Sequence, residues 1–283
     1  MQNNKKQWTI IDIISWASLH FQEKGISNGR LEIEWFLCDV LACKRIDLYL
    51  RFEEILENDC LLKIKQLIKK RLLGEPFQHI INKGTFYGRD FFVNSDVLIP
   101  RPETELIITR LKKKKKVCSL LEIGTGSGCI AITCFLEGLC HNITATDVSK
   151  KALKIATKNA RSYGAELIKF KLHDFLNQKI NNRFDVVVSN PPYIEIEKYN
   201  LLPRGVKNFE PKIALTDYKD GLSFYHHFAN TFHKIINSNG YLLLEINNRI
   251  KLNTILKIFH HKNLQTKVFQ DLQKDNRVIE VYE

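Results

Sequence analysis

The chain has 283 residues, 44% hydrophobic and 26% charged, which suits one or two soluble globular domains with a large core. No apolar stretch approaches the ~18 residues of a membrane span, and Asp12 interrupts the segment a signal peptide would need. Lys and Arg outnumber Asp and Glu by 43 to 31, and the net charge of +12 favours anionic partners, although a chain-wide Lys, Asn and Ile bias dilutes that signal.

Residues 8–73 carry helical patterning. Ile10, Ile11, Ile14, Ala17, Leu19 and Phe21 predict a first helix. Ser27 or Asn28 caps a second through Cys43, with Leu31, Trp35, Leu37, Cys38 and Leu41 facing inward. A third runs from about residue 54 to 73, ended by Gly74 and kept from resuming by Pro76. These form a helical domain over 1–75. Residues 76–100 alternate β-formers with Gly84 and Gly88 and predict a β-hairpin linker. RPETELIITRLKK then opens a helix with Pro102 at its first position. The lysine run at 112–116 reads as that helix's solvated last turn, where cations suit the dipole.

From Val117 strands and helices alternate: VCSLLEIG, GCIAITCFLEG, NITATD, SKKALKIATKNARSYG, AELIKFKLHD, FDVVVSN, DGLSFYHHFANTFHKIINSNG, GYLLLEI and RIKLNTILKIFHHKN. LQTKVFQDL and RVIEVYE close the chain with no helix between them. Seven strands in this order predict an α/β, Rossmann-like sheet over 101–283, mostly parallel, helix-covered on both faces, with an antiparallel partner at one end. The seven cysteines, at 38, 43, 60, 118, 129, 134 and 140, form no C-x-x-C pair. They read as reduced thiols of a cytoplasmic protein, with neither a disulfide framework nor a metal site.

Four motifs fall at the carboxyl ends of predicted strands, where open α/β sheets bind ligands. Glu122 precedes Gly124, Thr125, Gly126, Ser127 and Gly128, and an acid before G-x-G-x-G resembles the adenosylmethionine loop of Rossmann-like methyltransferases. The plain alternative is a tight strand-to-helix turn. Asp147 ends the second strand and suits the two hydroxyls of a ribose; its alternative is a charge at a helix start beside Ser149. Asp174 and Phe175 suit the amine and ring face of an adenine; their alternative is a loop cap and a core aromatic. Last comes Asn190-Pro191-Pro192-Tyr193, a pattern shared by methyltransferases of planar nitrogens. Such a nitrogen is a poor nucleophile because its lone pair is delocalised. The Asn190 side-chain carbonyl and the Pro191 carbonyl can each accept one of its protons. The prolines stiffen the loop, and Tyr193 can stack on the flat target.

Together these motifs make the chain similar to the bacterial release factor glutamine methyltransferases. The resemblance runs through GEPFQHI (74–80), FYGRDFFV (86–93), LIPRPETE (98–105), LEIGTGSG (121–128), VVSNPPYI (187–194), FEPKIAL (209–215), DGLSFY (220–225) and DNRVIEV (275–281). It implies transfer of a methyl group from S-adenosylmethionine to the side-chain amide of the glutamine in the Gly-Gly-Gln motif of class I peptide chain release factors. It implies that residues 124–128, Asp147 and Phe175 hold the cofactor, and that Asn190 to Tyr193 hold the glutamine. No stable nucleic acid partner and no membrane are expected. The alternatives are an N6-adenine methyltransferase of DNA or RNA, a glutamine methyltransferase of a ribosomal protein, and a non-enzymatic binder. LIPRPETE discriminates best, and Arg101 and Glu103 within it are expected near the cleft. His79, Asn82 and Asn247 depart from the family pattern and put local loop geometry, not the reaction, in question.

Overall fold

The computed structural model describes residues 7–114, 117–246 and 251–283. Lys115, Lys116, Asn247 and the start of the predicted last helix lie outside the described residues. The chain divides into two compact units after Asn82. No helix among the described residues is long and apolar enough to cross a membrane.

The first unit holds helices α1 (Ile10–Glu23), α2 (Gly29–Leu41), α3 (Arg45–Leu50), α4 (Asn58–Leu72) and α5 (Phe77–Ile80). Thr9 starts α1 with a capping box, exchanging hydrogen bonds with Asp12. Ile10, Ile14, Ala17 and Phe21 pack against Ile33, Phe36, Leu37, Ile64 and Ile68. The face expected of α2 is corrected in part: Leu37 and Cys38 point inward as expected, but Leu31 and Trp35 are exposed, and Ile33 and Phe36 are buried in their place. Both sets have helical spacing, so periodicity alone could not choose. Gly29 chooses: a Cβ there would lie 2.6 Å from the Phe21 Cβ, so α2 lies close against α1 at that point.

Two further expectations change in this unit. FQHI is helix α5, not hairpin, because Pro76 can start a helix and Ile80 is buried in the helical core. Helix α3 was not anticipated. It buries Leu48 and brings Arg45 and Tyr49 to Glu34, whose side chain is wholly buried on α2. Glu34 accepts from Arg45 Nε at 2.5 Å, Tyr49 OH at 2.9 Å and Arg30 Nε at 3.0 Å. Burial alone would raise its carboxyl; the bonds from Arg45, Arg30 and Tyr49 outweigh this and hold it below the ordinary value.

The second unit opens with a hairpin, β1 (Gly84–Phe86) and β2 (Arg89–Phe91). Tyr87 and Gly88 form its two-residue turn with φ of 50° and 72°, the backbone a tight hairpin needs. A turn at Pro102–Thr104 leads into α6 (Glu105–Lys112). Then follow β3 (Ser119–Ile123), α7 (Cys129–Leu136), β4 (Asn142–Asp147), α8 (Lys150–Ser162), β5 (Lys169–Leu172) and β6 (Phe184–Ser189). Three short helices, α9 (Ile196–Tyr199), α10 (Arg204–Phe209) and α11 (Lys212–Leu215), fill a stretch without strong periodicity, punctuated by Pro203 and Pro211. The chain finishes with α12 (Ser223–Ile235), β7 (Ile236–Glu245), α13 (Leu252–His260), β8 (Gln265–Gln270) and β9 (Asn276–Tyr282).

The sheet order is β5-β4-β3-β6-β7-β9-β8. Strands β3 to β7 run parallel, and β9 inserts antiparallel between β7 and β8. Alternate residues feed two cores. Leu120, Val186 and Leu243 pack with α6 and α7, whereas Leu121, Val187 and Leu242 pack with α12 and α13. Burial on both faces is why these strands read as continuous apolar runs. The order reverses beside β3, so the β3 and β6 ends meet at a topological switch point.

Glu34→Gln should cost about 1.5–3 kcal/mol of stability at neutral pH, because charge-assisted bonds to a buried acceptor are weakened. A carboxyl held low contributes stability above its unfolded value of 4.5 and loses it as pH falls through the lower folded value. The gap between wild type and variant in thermal denaturation should therefore be full at pH 7 and close under acid.

Candidate active site

The loop after β3 turns on Gly124, Gly126 and Gly128, with φ of 75°, 55° and 82°. A Cβ on Gly124 or Gly126 would meet nothing within 4 Å, so these two glycines border open space. Gly128 differs: its Cβ would lie 2.9 Å from Ile132 Cδ1 and 3.2 Å from Ala156 Cβ. Gly128 therefore lets α7 and α8 pack closely and does not line the cleft. The N–H groups of Gly124 and Thr125 donate to the Thr146 carbonyl, both at 2.9 Å, which holds the loop against β4. Asn159 on α8 holds the far side, donating to the Ser127 carbonyl at 2.8 Å.

Two acids brace this loop. Asp147 accepts from Gly126 N at 2.9 Å through Oδ2 and from Ser149 N at 2.8 Å through Oδ1. Burial pushes its carboxyl up against the pull of those N–H groups. Each oxygen keeps a lone pair for a ligand, so the bracing and binding roles coexist. Glu122 is buried and uses only Oε2, which accepts from the Thr125 hydroxyl at 2.7 Å and Ala131 N at 3.1 Å. Its Oε1 has no hydrogen-bond partner among the described residues, and burial pushes the carboxyl up to about 8. Asp174 spends its carboxylate on the next turn, accepting from Leu176 N, Asn177 N and Asn177 Nδ2. Phe175 packs into the core against Phe228, the rings tilted with 4.5 Å between centroids, and still borders the cleft.

The loop after β6 is tied to β3 by the Ser189 hydroxyl, which donates to the Ile123 carbonyl at 2.7 Å. Asn190 donates from Nδ2 to Thr104 Oγ1 at 3.2 Å. The Thr104 hydroxyl donates in turn to Glu245 Oε2 at 2.5 Å, and Tyr193 OH approaches Glu245 Oε1 at 3.4 Å. Glu245 ends β7, is buried, and is pushed up by that burial to about 7. The loop backbone is packed from outside by Gly221 (φ 78°), where a Cβ would lie 2.2 Å from the Tyr193 carbonyl oxygen.

These parts enclose a cleft of about 250 Å³, lined among others by Glu122, Gly124, Thr125, Gly126, Ser127, Asp147, Asp174, Phe175, Asn190, Pro191 and Pro192. A second recess of about 120 Å³ shares Arg101, Asn190 and Pro191 with the cleft and adds Tyr193. Tyr193 thus lines the recess and not the cleft, with its hydroxyl turned to Glu245. Arg101 lines both spaces and pairs with buried Glu210 at 2.5 Å, whose other oxygen accepts from Ile99 N. Glu103 lines neither. Thr104, Glu245, Gly221 and Glu210 were missed in the sequence. Glu245 had a usable signal, an acid closing an apolar strand at the ligand edge, as with Asp147.

A family described as PrmC N-terminal domain matches residues 12–81, and one described as Methyltransferase small domain matches 102–204. A release factor glutamine methyltransferase of Bacillus subtilis is 36% identical over 283 residues, covering 96% of each chain. Another, from Geobacter sulfurreducens, is 34% identical over 87% of each chain. The same name belongs to a relative in Chlorobaculum tepidum, 36% identical over 86% of each chain. A solved methyltransferase of Pyrococcus furiosus superposes with a TM-score of 0.54 at 19% identity, covering 70% of this chain and 90% of its own. That likeness shows the fold, a class I methyltransferase sheet.

Gly138 and Gly221 share left-handed backbone, but a Cβ on Gly138 meets nothing within 4 Å. Gly138→Ala should cost about 1–2 kcal/mol from backbone strain alone. Gly221→Ala should cost at least about 1 kcal/mol more, through its clash with the Tyr193 carbonyl. Paired denaturation curves measure the difference.

Proposed function

We infer the reaction from kinship: this chain belongs to the release factor glutamine methyltransferase family. It transfers a methyl group from S-adenosylmethionine to the side-chain amide nitrogen of a glutamine in a class I peptide chain release factor. The observation that carries this reading is the position of Asn190 and Pro191, shared by a large cleft and a small recess. A cofactor in the cleft and an amide side chain in the recess would meet at those two residues.

The residues of the cleft fit the cofactor. The open space over Gly124 and Gly126 leaves room for a ligand against the backbone. The unpartnered Oε1 of Glu122 offers an acceptor to its ammonium group. Asp147 offers lone pairs to a ribose, and Phe175 an apolar wall to a base. When bound, S-adenosylmethionine supplies a methyl carbon on a sulfonium, whose bond electrons leave with the sulfur.

The chain's own contribution is positioning. The amide nitrogen of glutamine carries two protons and little free lone pair. Asn190 Oδ1 accepts a hydrogen bond from one N–H and the Pro191 carbonyl from the other, which fixes the nitrogen and favours the positive charge that builds as it attacks. With the donor bound, Asn190 and Pro191 would hold the nitrogen in line with the methyl carbon, and the proton lost from the methylated nitrogen would leave to water past these acceptors. No strong base is required. Tyr193 serves as a wall of the recess, where its ring can lie against the amide plane, and its hydroxyl anchors to Glu245. We place the enzyme in the cytoplasm, where its seven free cysteines stay reduced.

Protein incubated with methyl-labelled cofactor should label a release factor, and not one whose Gly-Gly-Gln glutamine is replaced by alanine. Label in duplex DNA, or in neither substrate, would overturn the assignment. Asn190→Ala should lower kcat at least about 100-fold while sparing cofactor affinity.

A further inference from the structure

We propose that Thr104 and Glu245 are positioning residues that decide which end of the Asn190 amide serves the target nitrogen. The inference rests on the glutamine reading above and adds residues to it. An asparagine side chain is ambivalent. Its oxygen and its NH₂ are nearly isosteric, and a half-turn exchanges acceptor for donor. Facing a target NH₂, the wrong half-turn sets donor against donor. A stiff backbone around Asn190 cannot prevent this, because the flip is a side-chain rotation.

The neighbouring bonds prevent it. An ionised carboxylate only accepts, so the Thr104 hydroxyl, 2.5 Å from Glu245 Oε2, spends its single proton there. The Thr104 oxygen is left as an acceptor, 3.2 Å from Asn190. Only the NH₂ end of Asn190 satisfies it. With the amide turned over, Oδ1 would face an oxygen whose proton is already committed. The correct turn leaves Oδ1 without a hydrogen-bond partner among the described residues, on a side chain that borders both the cleft and the recess. Thr104 and Glu245 are 3% and 2% exposed, so water does not compete for these bonds. The Tyr193 hydroxyl takes the other carboxylate oxygen, and burial keeps that phenol protonated.

The direction of the relay is set by the charge on Glu245. The charged and titratable groups around it are Glu103 in the turn before α6, Tyr193 after β6, Tyr225 on α12 and Arg277 on β9. Once protonated, the carboxyl can donate to Thr104, the hydroxyl can turn to Asn190, and the amide loses its bias. The bias holds above about pH 7 and fades as pH falls through that value.

Thr104→Val removes the hydroxyl and keeps the shape; Thr104→Ser restores the hydroxyl. With release factor as substrate, T104V should lower kcat by about 10- to 100-fold at unchanged cofactor affinity, and T104S should recover most of it. The wild-type acid limb of kcat near pH 7 should be absent from T104V. Wild-type turnover with an intact acid limb in T104V would overturn the proposal. So would equal losses of kcat and cofactor affinity in T104V and T104S, which would mark Thr104 as merely structural. A nuclear magnetic resonance readout needs no substrate. Exchange of the Asn190 NH₂ protons should quicken at least about tenfold in T104V, where an unchanged rate would refute the relay. Wild-type protein that fails to label release factor sinks the glutamine reading alone, and the exchange comparison still decides the relay.

Discussion

Two parallel strands, β3 and β6, are hydrogen-bonded neighbours that end at one edge, and the site depends on that pairing. Their register sets Ile123 opposite Ser189, and the Ser189 hydroxyl closes the seam on the Ile123 carbonyl. The glycine loop and the Asn190 loop leave from the next residues on each strand. Their separation in sequence is 66 residues between Ile123 and Ser189, yet their separation in space is one strand spacing. Neither loop could place a methyl donor against an acceptor nitrogen alone. The order reversal of the sheet, with chain leading away from β3 toward β4 on one side and arriving at β6 on the other, opens the crevice between them.

Much of this was legible in the sequence because the sheet is buried on both faces. Continuous apolar runs such as FDVVV and LLLE admit few readings, and each ended in a polar residue at the ligand edge. The loops could be ranked without knowing their geometry, since glycines or prolines after a buried strand have a conformational cause. Helical rotation was less legible. Leu31 with Trp35, and Ile33 with Phe36, are equally compatible with the inward Leu37; the choice between them lies in one glycine touching Phe21 of another helix. Helices α9 to α11 were invisible for a related reason. Each is four to six residues long, too short for a period to register.

Three of the residues missed at the site, Thr104, Glu245 and Glu210, share a character: each holds another side chain. Thr104 reaches Asn190 across 86 positions and Glu245 across 141. Neither distance leaves a trace in local pattern. Gly221 carries no signal within DGLSFY beyond its being a glycine, yet a Cβ there would run into the Tyr193 carbonyl of the Asn190 loop. First contacts with a ligand sit at strand ends and can be guessed from topology; the groups that aim them are set by tertiary packing.

The buried acids show what that aiming costs. Glu122 and Glu245 are 1% and 2% exposed, and burial pushes their carboxyls up to about 8 and about 7. Ionising either group is therefore unfavourable at neutral pH compared with water, and an apolar replacement would pack with less penalty. Glu34 marks the contrast: equally enclosed, it receives two arginines and a tyrosine and ends below its ordinary value. A buried carboxylate can thus be paired in this chain, but Glu122 and Glu245 at the strand ends have no cation within hydrogen-bonding reach among the described residues. Glu122 keeps an oxygen open, and Glu245 takes hydroxyls that a stronger cation would displace. An arginine on Glu245 would settle its charge but release the Thr104 proton, and with it the orientation of Asn190. The weak pairing at this edge is what lets one hydroxyl carry directional information.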